Sequence, residues 1–281
     1  MKVLVTGFTG KVGYEVAQKL MDKNIPFVCG VRNPEKAEAA FGNAYEFVKL
    51  DFANPDTFDE ALGQVDRIFL MYPPGDNLQF DSFLEKAKKR GIKHISYLSL
   101  KDVQFMPFIH HYKMEKLIKK SAIPYTFVRA GYFMQNLNDF MCEEIKERQR
   151  IFVPAGKGKT SFVDTRDLAE VLAEAVMHPA KHRNISYIIT GREAFNFYEV
   201  AEIMTDILNI DIEYANPSVK EFKEFMKRKN VDDDFINIVI GIHIPTKLGL
   251  AKGIKHDYQK VTSKEPTDIR MYIDDFKSSW I

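Results

Sequence analysis

The chain has little cysteine: two residues in 281, Cys29 and Cys142, far apart. Neither has a neighbouring cysteine, nor a histidine at metal-ligand spacing, so neither a zinc site nor a disulfide framework is expected. Cys29 lies in an apolar run and reads as a small buried hydrophobe. Charge of one sign is also lacking. Forty Lys and Arg against 39 Asp and Glu leave a formal net charge of +1. No overall field draws the chain to nucleic acid or to an acidic membrane. The lysine-rich stretches at 86–90 and 119–120 read as solvated helix faces. Long apolar runs are missing as well. The first, residues 3–5, stops at Thr6-Gly7, far short of a signal-peptide core, and no run approaches the ~20 residues of a membrane span. The expected compartment is the cytoplasm. There is no internal repeat and no low-complexity linker. What remains, 45% apolar and 28% charged residues, is the composition of a soluble globular protein.

What is present is an alternation. Apolar runs of strand length fall at 2–6, 25–31, 45–50, 66–72, 94–100 and 123–130. Helix-period segments lie between them, at 12–23, 34–41, 55–62, 77–90 and 110–121. Pro34 suits a first helical turn, and Gly91 suits a helix stop. Such alternation predicts an α/β fold, a Rossmann-like doubly wound parallel sheet with right-handed crossovers. Beyond about residue 151 the pattern becomes mixed: a strand near 161–163, a strongly periodic helix, the strand "ISYIITG" and a helix at 196–208. Residues 210–281 read as a smaller, helical, lysine-rich lobe over the sheet's mouth. The expected division is therefore 1–150, a dinucleotide-binding domain, and 151–281, the remaining elements and a mixed C-terminal lobe.

The segment "VLVTGFTGKVGYEVAQKL" joins strand, turn and helix. Gly7, Gly10 and Gly13 sit where a dinucleotide fingerprint needs glycine: for the tight turn, for backbone approach to a pyrophosphate, and for helix–strand packing. The helix N-terminus adds N–H groups and partial positive charge. Gly7, Phe8, Thr9, Gly10, Lys11, Val12 and Gly13 are thus candidate cofactor contacts. The alternative is an ordinary tight turn.

A strand-two acid would favour NAD by holding the ribose hydroxyls. Here the strand ends in "VRNPEK", with Arg32 in that place and Lys36 one turn on. A guanidinium grips a 2′-phosphate bidentately, so NADP(H) is expected over NAD(H). Arg32 as a mere loop residue is the competing reading. Asp51 and Phe52, after the third strand, could offer a carboxylate and a ring to adenine; a helix cap is the alternative, a role for which Asn54 is better suited. Tyr72 and Pro73, after the fourth strand, are placed to pass beside the cofactor ribose. Phe133 and Asn136, after the sixth, are candidate contacts for a flat apolar substrate, with ordinary core as the other reading for Phe133. Asp164, Arg166 and Asp167 read as a strand end and helix cap.

Together "TGFTGKVG", "VRNPEK", "HYKMEKLIKKSAIPYTFVRAGYFMQN" and "GKGKTSFVDTRDLAEV" resemble the NmrA-like branch of the atypical short-chain dehydrogenases/reductases, over at least residues 1 to about 191. That resemblance implies a nicotinamide dinucleotide and no metal or flavin. It also implies either an NADPH-dependent reductase of quinone-like or triphenylmethane-dye substrates, or a redox sensor that binds the dinucleotide without catalysis. The wider superfamily's Tyr-x-x-x-Lys pair would fall on Tyr112 and Lys116. The branch's His-x-x-x-Glu-Lys pattern would fall on His111, Glu115 and Lys116. A helix turns about 100° per residue, so the two faces cannot serve one nicotinamide equally; the His111 face is preferred, with a helix start devoid of chemistry as the alternative.

The expected function is hydride transfer from NADPH to a small aromatic or conjugated carbonyl acceptor. The rival is a dinucleotide sensor, and a sugar-nucleotide epimerase is a weaker third. Expected partners are a small-molecule substrate and, through outer-face helices, a second copy of the chain. No direct contact with nucleic acid or membrane is expected.

Overall fold

The apolar runs become strands, and the helix-period stretches become their crossovers. The computed structural model describes residues 1–281. In chain order its elements are β1 (Val3–Thr6), α1 (Lys11–Asp22), β2 (Phe27–Val31), α2 (Pro34–Phe41), β3 (Phe47–Lys49), α3 (Phe58–Leu62), β4 (Arg67–Leu70), α4 (Phe80–Lys89), β5 (His94–Leu100), α5 (His110–Ser121), β6 (Tyr125–Ala130), β7 (Tyr132–Phe133), α6 (Asn136–Arg148), β8 (Arg150–Ile151), β9 (Thr160–Val163), α7 (Thr165–Met177), β10 (Ile185–Ile189), β11 (Ala194–Phe195), α8 (Phe197–Leu208), β12 (Glu213–Tyr214), α9 (Val219–Arg228), α10 (Asp233–Lys247), α11 (Asp257–Thr262) and α12 (Ile269–Asp275). No helix is long and apolar enough to cross a membrane.

Two compact units form. One comprises Met1–Ala130, Thr165–Ile189 and Lys260–Ser263; the other comprises Gly131–Asp164, Thr190–Gln259 and Lys264–Ile281. These are not the continuous segments 1–150 and 151–281 of the sequence reading. The difference lies in β10. It pairs in parallel with β6 along its whole length, Ile185 opposite Thr126 to Ile189 opposite Ala130. That pairing keeps α7 and β10 in the first unit.

The first unit holds a seven-stranded sheet in the order β10-β6-β5-β4-β1-β2-β3, every pair parallel. Strand order reverses between β1 and β4. A crevice outside the carboxyl ends of the strands at such a reversal is where doubly wound sheets take ligands. All of β1 is buried, as its continuous apolar run requires. On one face α1 and α7 pack together, and α4 and α5 pack beside one another over β5. Phe58, Phe69, Phe83, Tyr97 and Phe127 are fully buried in this unit.

The second unit has a three-stranded sheet, β11-β9-β7, and a two-stranded one, β12-β8. Its core gathers Leu137, Met141, Phe162, Phe197, Tyr272 and Trp280. Asn196 and Ser218 cap α8 and α9 in reciprocal capping boxes with Glu199 and Glu221. Tyr132 donates its hydroxyl to His243 Nε2 over 2.9 Å, and His243 Nδ1 donates to the Val239 carbonyl over 2.7 Å.

Candidate functional site

The glycine turn begins at a clamp. The Thr6 hydroxyl at the end of β1 accepts the Met71 N–H over 2.9 Å, which pins the end of β4 beside it. Gly7 then adopts φ +64°, in the left-handed region. A Cβ on Gly13 would stand 2.1 Å from the Gly7 carbonyl oxygen, so α1 approaches the turn only because that position is bare. Gly10 differs. Its φ of −97° suits any residue, and a Cβ there would meet nothing nearer than Gly7 O at 3.3 Å and Met71 Cε at 3.6 Å. Compared with position 13, the chain's own packing demands glycine far less strictly at position 10. Its bareness opens main chain to something outside, and α1 starts there with no side-chain cap. A diphosphate fits that cradle.

Thr9 and Lys11 lie on the exposed side of the turn, and Val12 lies beneath it. Phe8 turns inward. Its ring is wholly buried against Phe41 at 4.9 Å and Tyr45 at 4.8 Å. Of Phe8, therefore, the main chain alone is available to a ligand.

At the end of β2, Asn33 caps α2 by accepting the Lys36 N–H over 2.9 Å. This leaves the Arg32 and Lys36 side chains exposed on the same rim. After β3, Asp51 is half-buried, and its carboxylate accepts the Ala53 N–H over 2.9 Å. Asn54 provides the cap of the following turn. The expectation of a ring beside adenine fails at Phe52. It is 6% exposed and packs on Phe80 at 4.6 Å and Phe83 at 5.0 Å. An aromatic just past a strand end has two ways to turn, and here the core takes it.

Tyr72 and Pro73, just beyond β4, are half-buried. The Tyr72 ring lies between Phe80, with centroids 5.3 Å apart and planes at 25°, and His110, at 4.9 Å and 19°. Its hydroxyl is 3.1 Å from His110 Nδ1.

Helix α5 separates the two expected catalytic faces. His111 and Glu115 point at the sheet. His111 Nδ1 is 2.8 Å from the Tyr97 hydroxyl. Burial holds Tyr97 well above the usual phenol range, with Glu115 adding to the effect, so the phenol donates. Burial pushes His111 down to about 4, helped by repulsion from His110 and opposed by Glu115 and a bond to the Leu98 carbonyl. At neutral pH the ring is therefore uncharged, with Nδ1 tied to Tyr97 on β5. Glu115 accepts Ser99 Oγ over 2.7 Å and both Arg129 Nε at 2.9 Å and Nη2 at 2.7 Å. Tyr112 and Lys116 stand outside this network, the ammonium 4.8 Å above the Tyr112 ring centroid.

The glycine turn, Arg32, Lys36, Asp51, Tyr72 and Pro73 thus come together at the carboxyl end of the first unit's sheet. Phe133 and Asn136 belong to the second unit. There Phe133 is half-buried on β7, opposite Val163, and Asn136 hydrogen-bonds Tyr132. Sequence reasoning missed the Tyr72–His110 pair and the Ser99–Glu115–Arg129 network. The first had a partial signal: Tyr72 lies just past β4, and His110 opens the helix that follows β5. The second had none, because its members lie 14 to 16 positions apart.

Residues 1–273 match the model of the NmrA-like family. A curated relative, prestalk A differentiation protein A of Dictyostelium discoideum, is 27% identical over 97% of this chain and 91% of its own. NAD(P)H azoreductase of Xenophilus azovorans is 27% identical over 93% of each. Among solved structures, the Citrobacter sp. triphenylmethane reductase complexed with NADP(H) superposes with a TM-score of 0.86 at 25% identity, over 98% of this chain and 99% of that one.

Proposed function

We propose, from the premise that this chain belongs to the NmrA-like family, that it is an NADP(H)-dependent oxidoreductase acting on a small, conjugated, quinone-like acceptor. The observation that carries the reading is the turn: Gly7 and Gly13 are needed by the fold, and Gly10, with an ordinary φ, leaves main chain partly open at the start of α1. The relatives named for NAD(P)H azo-dye reduction and for triphenylmethane reduction with NADP(H) support the reaction class. When bound, the cofactor would supply the hydride.

The chain's own residues would do the rest. Main-chain amides from Gly7 to Gly13, with the α1 N-terminus, would hold the diphosphate. Arg32 and Lys36 have no ion-pair partner and face water at the rim where a 2′-phosphate would lie. Asp51 and Pro73 would flank the adenosine and ribose.

Calorimetry with NADPH and NADH, followed by NADPH oxidation against a panel of quinones, azo dyes and aliphatic aldehydes, tests the reading. Tighter NADPH binding with turnover of the conjugated acceptors is expected. Absence of heat from either nucleotide would defeat it.

A second reading, a sensor that binds the dinucleotide without catalysis, draws on one observation. The expected acid His111 is uncharged at neutral pH and held by Tyr97 of β5 through its Nδ1. Tight binding without turnover of any acceptor favours the sensor.

A further inference from the structure

Reduction of a conjugated carbonyl by hydride leaves a negative charge on the acceptor, and some group must deliver a proton to it. The geometry points to His110, steered by Tyr72, as that donor, in place of His111 or Tyr112. This inference rests on the oxidoreductase reading above.

His110 opens α5, and its ring is exposed. Its Nδ1 is held by the Tyr72 hydroxyl at 3.1 Å, and its Nε2 has no protein partner. The stack beneath it, Tyr72 and then Phe80, fixes the plane of the ring. Tyr72 in turn follows Met71, whose N–H is clamped to Thr6 at the mouth of the glycine turn. The imidazole is therefore a rigid extension of the β1–β4 reversal, with one nitrogen anchored and the other open. Burial, with Asp76 adding to it, keeps the Tyr72 phenol protonated above its ordinary range. Its oxygen retains lone pairs for an Nδ1–H. By contrast, His111 is largely withdrawn from solvent, with its Nδ1 held by the Tyr97 hydroxyl toward the sheet, and Tyr112 lies on the other face of α5 with the Lys116 ammonium over its ring. The loop leading to His110 also carries Phe105 and Phe108, 76% and 75% exposed. Apolar rings left in water at a strand's carboxyl end suit a flat, conjugated ligand.

The step balances. When bound, the dihydronicotinamide would supply the hydride that reduces the acceptor and would itself be oxidised. The Nε2–H bond of a protonated His110 breaks, and the proton forms an O–H bond with the acceptor's anionic oxygen. The neutral ring keeps its Nδ1–H toward the Tyr72 oxygen, and water returns the Nε2 proton to the exposed ring.

Three measurements test this. With NADPH and a quinone that the wild type reduces, His110→Ala is expected to lower kcat by about 10²-fold. Added imidazole should restore part of that loss, and the calorimetric Kd for NADPH should stay within about twofold. In cofactor-free protein, ¹⁵N NMR of the imidazole should show a hydrogen-bonded Nδ1 that Tyr72→Phe releases. Retention of kcat in His110→Ala, or a loss that imidazole does not rescue, overturns the donor assignment. An Nδ1 signal unmoved by Tyr72→Phe overturns the steering role. If the wild type binds NADPH but reduces no acceptor, the oxidoreductase reading itself has failed, which is a distinct result.

Discussion

The two ends of the first unit's sheet differ in how many polar side chains they leave in water. At the carboxyl end, Arg32, Lys36 and His110 face water, beside a bare Gly10. At the amino end, where β4, β5 and β6 begin, polar groups are buried and interlocked. Arg67 Nη1 donates to the Val176 and Met177 carbonyls, 2.8 and 2.7 Å away, capping the C-terminus of α7 with a positive charge. Thr126 donates its hydroxyl to the His182 carbonyl over 2.7 Å, so His94 Nε2 must donate to Thr126 Oγ1 over 3.0 Å. That tautomer leaves His94 Nδ1 buried without a partner. Both ends bury polar networks, the carboxyl end through Ser99, Glu115 and Arg129, but the carboxyl end also presents Arg32, Lys36 and His110 to water. Polarity alone does not mark a site in this sheet; the absence of a protein partner at the solvent edge does.

The largest expected effect breaks the carboxyl end. In Gly13→Val the new Cβ would lie 2.1 Å from Gly7 O, so turn and helix must separate. Nicotinamide-nucleotide heat should vanish in calorimetry, and the melting temperature should fall, since forced overpacking costs about 1–3 kcal/mol or more. Gly10→Ala sharpens the contrast, because its Cβ presses only lightly on Gly7 O at 3.3 Å. It should melt close to wild type and still lose most of its NADPH affinity. Equal affinity in Gly10→Ala and wild type would mean that no ligand approaches there.

The next effect probes the buried end by pH. Burial pushes His94 down to about 4, with Arg67 and His182 adding repulsion. An unfolded histidine titrates near 6.5. Between those values the unfolded chain binds more protons, so stability is lost as pH falls through 6.5 and the loss is complete near 4. From pH 7.5 to pH 5 the loss should be about 2 kcal/mol for His94. His111 and His243, both also near 4 through burial, should add similar amounts. Urea unfolding at the two pH values measures the sum, and His94→Gln should remove one share. A flat pH dependence would contradict the buried, neutral state of these rings. A smaller loss is expected in Arg67→Met, about 1–3 kcal/mol from the two uncapped carbonyls, with the Kd for NADPH unchanged.

How much of this was legible beforehand follows the same division. All seven of the sheet's strands were readable as strand-length runs, β10 as "ISYIITG", and the glycine turn was readable because strand, turn and helix coincide. What the sequence concealed was direction. Phe8 and Phe52 flank strand ends, where a ring can turn to core or ligand, and both turned to core. The faces of α5 carried two competing patterns. The choice between them was made by Tyr97, Ser99 and Arg129 on neighbouring strands, which no local spacing reveals. The break in the first unit had the same cause: β10 begins exposed, and only its pairing with β6 shows where it belongs.

The smallest effects belong to the rim of β2. Arg32 and Lys36 are solvent-facing, so removing either should leave the fold untouched. A hydrogen bond to a charged group contributes about 1.5–3 kcal/mol, and each 1.4 kcal/mol is about tenfold in affinity. Arg32→Ala should therefore weaken NADPH binding by at least about tenfold and leave NADH binding unaltered. Lys36→Ala, a single flexible ammonium farther along α2, should weaken NADPH binding only a few-fold. The difference between the two nucleotides is the decisive quantity, since a general loss of fold or of diphosphate binding lowers both alike. If Arg32→Ala shifts NADPH and NADH by the same factor, Arg32 does not hold a 2′-phosphate, and the open carboxyl edge binds its cofactor through the glycine turn alone.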